Sequence, residues 1–533
     1  MPNKPQLVAL FKEYYFLFIL SFAYILLMTF NFPFFQQDYV NMSLVESGWS
    51  YEKLSSGFEF YFRPIENLIY FVFLNIFGMN ALPFRIFKTA IAAGVFCMIY
   101  HLIKRYSENK NIAFLGGVFY LTSPAVLASV FLIYDFEILM QLIVLVSFLF
   151  FIDFFEKNEF EYKKIMIFLL LIYLAVITKE SSKVFIGVII STMFLLNKKN
   201  VKLIILCLIL LFLAIKPGFL LGFSSSQSTN MFKILFEWSA SDNLKIFAKN
   251  FLFLSFGILT SLIILLLIKI KNIKTQGLKF NLNKTIFFWF IWFLLTSISA
   301  LFVPMSEARY MAVQFLPFTL FAFTIISKKF SNLNKKLKSL LIIFILASII
   351  FNFTLSIQFR YGQMNFFKVL DESHHFFEKN YENSTLSFFG GDTFYYPMIT
   401  SENNNSYFPR GGTFQNDTNK IFFLEGTSKN RQGKLERTFV EGPYCLMIYG
   451  SKENISNYCS VEIETKFFYP QKIEINIIGE QQTFTRLIRP PLGKIVSCEY
   501  LCPEFNESLK KKSINITTNK NRFNKILNFK VNN

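Results

Sequence analysis

Residues 340–357 read LLIIFILASIIFNFTLSI, with no charged side chain anywhere in the run. As a helix this stretch is about 27 Å long, close to the ~30 Å hydrocarbon core of a bilayer. Tyr14–Phe32, Leu82–Leu102 and Val201–Leu221 have the same character, nearly or wholly without charge. A soluble fold has nowhere to hide so many segments of this kind. Further apolar runs fall at 111–132, 137–155, 165–178, 184–196, 249–270, 285–303 and 310–327. Together they predict an α-helical polytopic membrane protein of about eleven crossings. Composition agrees: 53% of the 533 residues are hydrophobic, 19% aromatic and 17% charged, with mean hydropathy +0.41. Soluble domains carry about 25% charged residues. The 72 phenylalanines read as lipid-facing bulk.

The net charge of +19 invites a nucleic-acid reading, but the basic residues lie in short loops between apolar runs and form no basic-aromatic module. They define sidedness instead. One set of loops holds Lys104, Arg105 and Lys110; Lys157, Lys163 and Lys164; Lys198, Lys199 and Lys202; a group from Lys269 to Lys284; and a group from Lys328 to Lys338. The alternate loops hold far fewer, so the rich side is assigned to the cytoplasm. The N-terminus is then cytoplasmic, in a plasma, inner or ER membrane, and the tail lies outside. The first run lacks a small-residue cleavage site and reads as an uncleaved helix. Residues 64–79 are apolar but short, and crossing there would invert the charge bias. They read as a helix lying at the outer interface, with a second near 41–54.

Beyond residue 360 Gly, Asn, Ser and Thr rise and apolar residues begin to alternate. Val461–Glu464, Lys472–Ile477 and Thr483–Ile488 predict strands, preceded by an amphipathic helix over Asn365–Tyr381. The expected organisation is a membrane domain over 1–360, a small extracytoplasmic β-rich domain over 361–510 and a loose polar tail over 511–533. Cys445, Cys459, Cys498 and Cys502 are disulfide candidates in that outer domain, with a thiolate zinc site as the rival. Cys97 and Cys207 lie in apolar runs and read as inert. Asn-x-Ser/Thr triplets such as Asn383 and Asn454 arise by chance in so Asn-rich a chain, and His374-His375 reads as surface.

Ionisable residues bordering a membrane are costly and become functional candidates. They gather in the outer loops: Asp38, Glu59, Arg63 and Glu66; Asp135 and Glu137; Lys179, Glu180 and Lys183; Glu307 and Arg309, followed by Tyr310. The order is Asp38 after the first run, Tyr61-Phe62-Arg63-Pro64 before an apolar stretch, Asp135, Thr178-Lys179-Glu180-Ser181, then Glu307-Ala308-Arg309-Tyr310. This order resembles the GT-C class of membrane glycosyltransferases, especially the protein O-mannosyltransferases and the lipid A aminoarabinose transferases. The resemblance covers roughly residues 10–330. Gln37 stands where many members have a second acid, and Arg63-Pro64 where many have two prolines.

The resemblance implies a polyprenyl- or dolichyl-phosphate sugar as donor and an inverting displacement at the anomeric carbon. The acceptor hydroxyl belongs to a protein, lipid or polysaccharide. Asp38 would take the acceptor proton; Arg63, Lys179 and Arg309 would stabilise the leaving phosphate; Asp135, Glu180, Glu66 and Tyr310 would complete the substrate site. No cofactor is assigned beyond the lipid-linked donor itself, and a divalent metal between Asp38 and Asp135 is left open. The structural readings stand beside these: Asp38 as a helix cap, Arg63 and Arg309-Tyr310 as interface anchors, Lys179-Glu180 as a turn ion pair. Two other classes compete, a transporter or flippase of lipid-linked glycans and a membrane-anchored assembly protein. A transporter calls for broken helices.

Overall fold

The computed structural model describes residues 4–30, 63–78, 80–107, 109–131, 136–157, 161–196, 201–215, 240–276, 284–299 and 311–380, together with ten strands beyond them. Internal contacts divide the chain after Ser356 into a helical unit and a second unit running from Ile357 to Asn533.

The helical unit begins with α1 (Lys4–Thr29), α2 (Pro64–Phe77), α3 (Ala81–Ser107), α4 (Lys110–Thr122) and α5 (Pro124–Phe131). It continues with α6 (Glu137–Lys157), α7 (Tyr162–Thr178), α8 (Ser182–Leu196), α9 (Val201–Ile215), α10 (Ala240–Gln276), α11 (Lys284–Ser299) and α12 (Ala312–Phe330). The last helix, α13 (Lys335–Asn380), runs on into the second unit. Among the described residues, four helices contain a stretch long and apolar enough to cross a membrane: Lys12–Thr29, Ala81–Ser107, Phe247–Ile268 and Lys335–Gln358. A fifth span results if α4 and α5 are taken together. α2, α6, α8, α9 and α11 contribute shorter apolar helices.

The run at 111–132 is not the single helix expected. α4 and α5 meet at a bend of 56° across Ser123. Pro124 has no N–H to donate and disfavours helical geometry in the residue before it. Ser123 accordingly adopts φ −64°, ψ 129°. The helix expected at Asn365–Tyr381 is likewise not separate, because α13 continues to Asn380 without interruption.

Large apolar side chains face outward as well as filling the core, and several charged or amide side chains are buried. Leu27 and Ile350 are 69% and 62% exposed, whereas Arg85, Lys88, Glu137, Gln141, Gln314 and Asn352 are buried. Hydrocarbon surroundings favour this arrangement, since polar groups must find partners inside the bundle. The phenylalanines do more than coat the lipid face. Phe148 of α6 lies 4.5 Å from Trp289 and 4.9 Å from Phe288 of α11 between ring centroids, and Phe251 of α10 lies 4.8 Å from Phe318 of α12. Such offset and edge-on pairs supply packing enthalpy that lipid exclusion alone does not provide between helices. Small residues permit the closest approaches. Gly257 of α10 donates its N–H to Ser348 Oγ of α13 at 3.0 Å, and a Cβ there would lie 2.2 Å from the Phe344 carbonyl.

In the second unit the strands are β1 (Thr385–Gly390), β2 (Phe414–Gln415), β3 (Lys420–Phe423), β4 (Cys445–Ser451), β5 (Tyr458–Thr465), β6 (Gln471–Ile477), β7 (Gln481–Leu487), β8 (Lys494–Leu501), β9 (Asn515–Thr518) and β10 (Asn524–Asn532). They form a seven-stranded sheet in the order β2-β3-β1-β4-β7-β6-β9 and a three-stranded sheet β10-β5-β8. β9 and β10 fall in the stretch after Lys510 that the sequence reads as loose. In the register of β5 and β8, Cys459 stands opposite Tyr500 and Cys498 opposite Val461. The two cysteines are thus diagonal neighbours, a wider backbone spacing than a directly opposed pair. The side chains of Cys445, Cys459 and Cys498, and Cys502 itself, lie outside the described residues.

Candidate functional site

The site is built around the turn between α7 and α8. Lys179 ends α7 in an extended conformation, φ −157° and ψ 139°, while its N–H still reaches Ala175 O at 3.0 Å. The chain then reverses into α8, with Ser182 N–H bonded to Lys179 O at 3.2 Å and Lys183 N–H to Glu180 O at 3.0 Å. Lys179 and Glu180 serve two different partners. Glu180 receives a two-pronged contact from Arg63: Nε donates to Oε2 at 2.9 Å and Nη2 to Oε1 at 2.5 Å. Lys179 Nζ lies 3.6 Å from Glu137 Oε2, and Ser181 Oγ donates to the same oxygen at 2.8 Å.

Each partner is fixed by local structure. Arg63 precedes α2, whose first residue is Pro64, a position where the missing N–H costs nothing. Glu66 lies in the first turn of α2, where the helix dipole favours an anion, and sits 3.4 Å from Arg63 Nη1. α2 buries Pro64, Glu66, Asn67 and Tyr70 while Leu68, Val72 and Ile76 remain exposed, so its polar face is the inner one. Glu137 is the first residue of α6 and is again in a dipole-favoured position.

Arg63 and Glu180 form the accessible rim, with side chains 16% and 25% exposed. Burial alone would raise the Glu180 carboxyl. The Arg63 guanidinium, charge-assisted hydrogen bonds from it and the nearby Lys179 overcome that and hold it down to about 2. The group is therefore an anion at any physiological pH.

Two buried cations absent from the sequence-based candidates lie on α3. Arg85 and Lys88 lie near the start of α3 and are buried. Lys88 Nζ donates to Ser129 O at 2.6 Å, and Arg85 Nη1 donates to Phe131 O and, at 3.4 Å, to Val130 O. Both cap the carboxyl end of α5, where unsatisfied carbonyls concentrate negative charge. Lys88 reaches the site through aromatic rings: its Nζ lies 5.6 Å over the Phe136 ring, and Tyr70 of α2 packs against both Phe84 and Phe136. The signal was available, since two cations three residues apart inside an apolar run are expensive there.

The structure therefore brings together Arg63, Glu66, Glu137, Lys179 and Glu180 of the sequence candidates, with Ser181, and sets Lys88 beside them through the Phe136 ring. Asp38, Asp135, Arg309 and Tyr310 lie outside the described residues. Among the described residues no group of three His, Cys, Asp or Glu side chains is placed to hold a metal.

A second charged cluster occupies the opposite end of α3. Glu13 of α1 accepts from Lys104 at 2.8 Å and from the Tyr100 hydroxyl, and pairs with Lys110 at 3.5 Å. Tyr14 OH and His101 Nδ1 are hydrogen-bonded at 2.7 Å. This cluster latches α1 to α3. Its acid is shared among three donors, and it lies about 24 Å from the first cluster, counting Lys88 to Lys104 at 1.5 Å per residue. No protein-family model, curated protein or solved structure matches the chain.

Proposed function

We propose that the chain is a polytopic glycosyltransferase of about eleven spans that takes a sugar from a polyprenyl-phosphate donor at the outer membrane surface. The observation that carries this reading is the meeting of Arg63, Glu137, Lys179 and Glu180, drawn from three distant parts of the sequence, at the ends of apolar helices. Fixed cations at such a boundary suit an anionic headgroup, and a leaving phosphate needs charge stabilisation more than it needs an acid. In this reading Asp38 takes the acceptor proton, Arg63, Lys179 and Arg309 face the phosphate, and Asp135, Glu66, Glu180 and Tyr310 orient them or the sugar. The orientation follows the lysine-rich loops, which places the N-terminus in the cytoplasm and the β-rich domain outside.

The test is transfer from radiolabelled polyprenyl-phosphate sugars into membranes carrying the wild type, Asp38→Asn or Lys179→Met. Loss of transfer in both variants with normal protein levels is expected; equal transfer by all three ends the proposal. A second reading, a flippase of lipid-linked glycans, is favoured by the 56° break between α4 and α5, since transporters build their sites at broken helices. Movement of a fluorescent lipid-linked glycan across proteoliposomes without any sugar transfer would select it.

A further inference from the structure

The ionised cluster continues inward from Glu137. Gln141, one turn farther along α6, donates from Nε2 to Glu137 Oε1 at 3.5 Å and to the backbone carbonyl of Ala312 at 3.0 Å. Its Oε1 accepts from the Tyr120 hydroxyl. Tyr120, Gln141 and Glu137 are all buried. Three elements meet at this one amide. Tyr120 sits in the last turn of α4, and its own carbonyl accepts from Ser123 N–H at 3.2 Å, directly at the bend before Pro124. Ala312 opens α12, and Glu137 opens α6. A buried amide needs its donors and acceptor satisfied, so the chain of bonds is maintained only while these three elements keep their spacing.

We propose that Gln141 is a positioning residue. It sets the Glu137 carboxylate against Lys179 and Ser181, and thereby couples the bend at Ser123 and the start of α12 to the ionised cluster. Rotation of α4 at its break draws Tyr120 from Gln141, releases the amide and loosens the grip of Glu137 on Lys179. The consequence for catalysis rests on the glycosyltransferase reading; the coupling itself does not.

A readout at Lys179 separates positioning from mere support. The full chain in lipid nanodiscs is exposed to a trace of amine-acylating reagent, and modification of Lys179 is followed by peptide mass spectrometry against exposed Lys12 as internal reference. Glu137→Gln marks the fully released level. Gln141→Leu is expected to raise the Lys179 rate on the order of three- to ten-fold, the equivalent of one buried hydrogen bond. Tyr120→Phe, which removes a single oxygen, is expected to raise it less but in the same direction, and it carries the test if Gln141→Leu does not fold. Unchanged Lys179 reactivity in folded Tyr120→Phe or Gln141→Leu protein, even with a lowered melting temperature, overturns the coupling. Sugar transfer is measured in parallel. A fall in kcat with KM held supports the catalytic consequence, whereas a Lys179 response in a chain that transfers no sugar keeps the coupling and removes the glycosyltransferase reading.

Discussion

Arg63 and Glu180 illustrate how far single residues were legible. Their types and loop positions flagged both, but their bidentate pairing across 117 positions was not written in either neighbourhood. Charge-assisted hydrogen bonds contribute ~1.5–3 kcal/mol where water is excluded. Because the pair is partly exposed, Glu180→Gln is expected to cost about 2 kcal/mol, read as a lower unfolding midpoint in detergent. The pH response has a definite sign. The folded carboxyl titrates near 2 against a usual 4.5, so its stabilisation is complete above pH 4.5 and drains away as pH falls toward 2. Wild-type stability measured at pH 5, 4 and 3 should decline toward that of Glu180→Gln; parallel curves for the two proteins would contradict the assigned pair. Lys88 and Arg85 show the converse. Both were visible as charges in an apolar run, yet their target, the carbonyls ending α5, exists only because Pro124 starts a new short helix.

At the scale of elements, apolar run length was a guide to helix rather than to crossings: among the described residues four helices, or five with α4 and α5 joined, are long and apolar enough to span. Each of the eleven runs read from the sequence lies largely within helix, as does the apolar stretch beginning at Pro64. What run length did not reveal was continuity, since hydropathy is indifferent to Ser123-Pro124 and sees only a long greasy segment. Packing distance was equally hidden. At Gly257 an added Cβ meets the backbone carbonyl of Phe344 at 2.2 Å, which cannot swing aside; at Gly116 it meets Ile103 Cδ1 at 2.7 Å, the end of a flexible side chain, and the root of the Phe323 ring at 2.9 Å, a side-chain contact that eases by a smaller shift than backbone would need. Gly257→Ala should therefore destabilise by about 2–3 kcal/mol and Gly116→Ala by about 1 kcal/mol. Thermal unfolding of the two variants checks the order, and a reversal would mean that α10 and α13 do not touch at Gly257.

For the whole molecule, class was set by composition and run length, whereas the site required folding in three dimensions. Acids and bases were visible one by one, but which of them met depended on the turn at Lys179 and on the inward polar face of α2. Sidedness, by contrast, is carried by loop lysines and has no counterpart in internal contacts. The two charged clusters at the ends of α3 have a consequence of their own. Their ~24 Å separation is shorter than an average hydrocarbon core and close to that of a thin bilayer. Neither end yields easily, because one is clamped to α5 and the other latched to α1. Where a bilayer meets α3 between these clusters, lipid must conform to their spacing or the helix must lean. In phosphatidylcholine series of increasing acyl length, thermal stability should peak with short chains and fall as they lengthen.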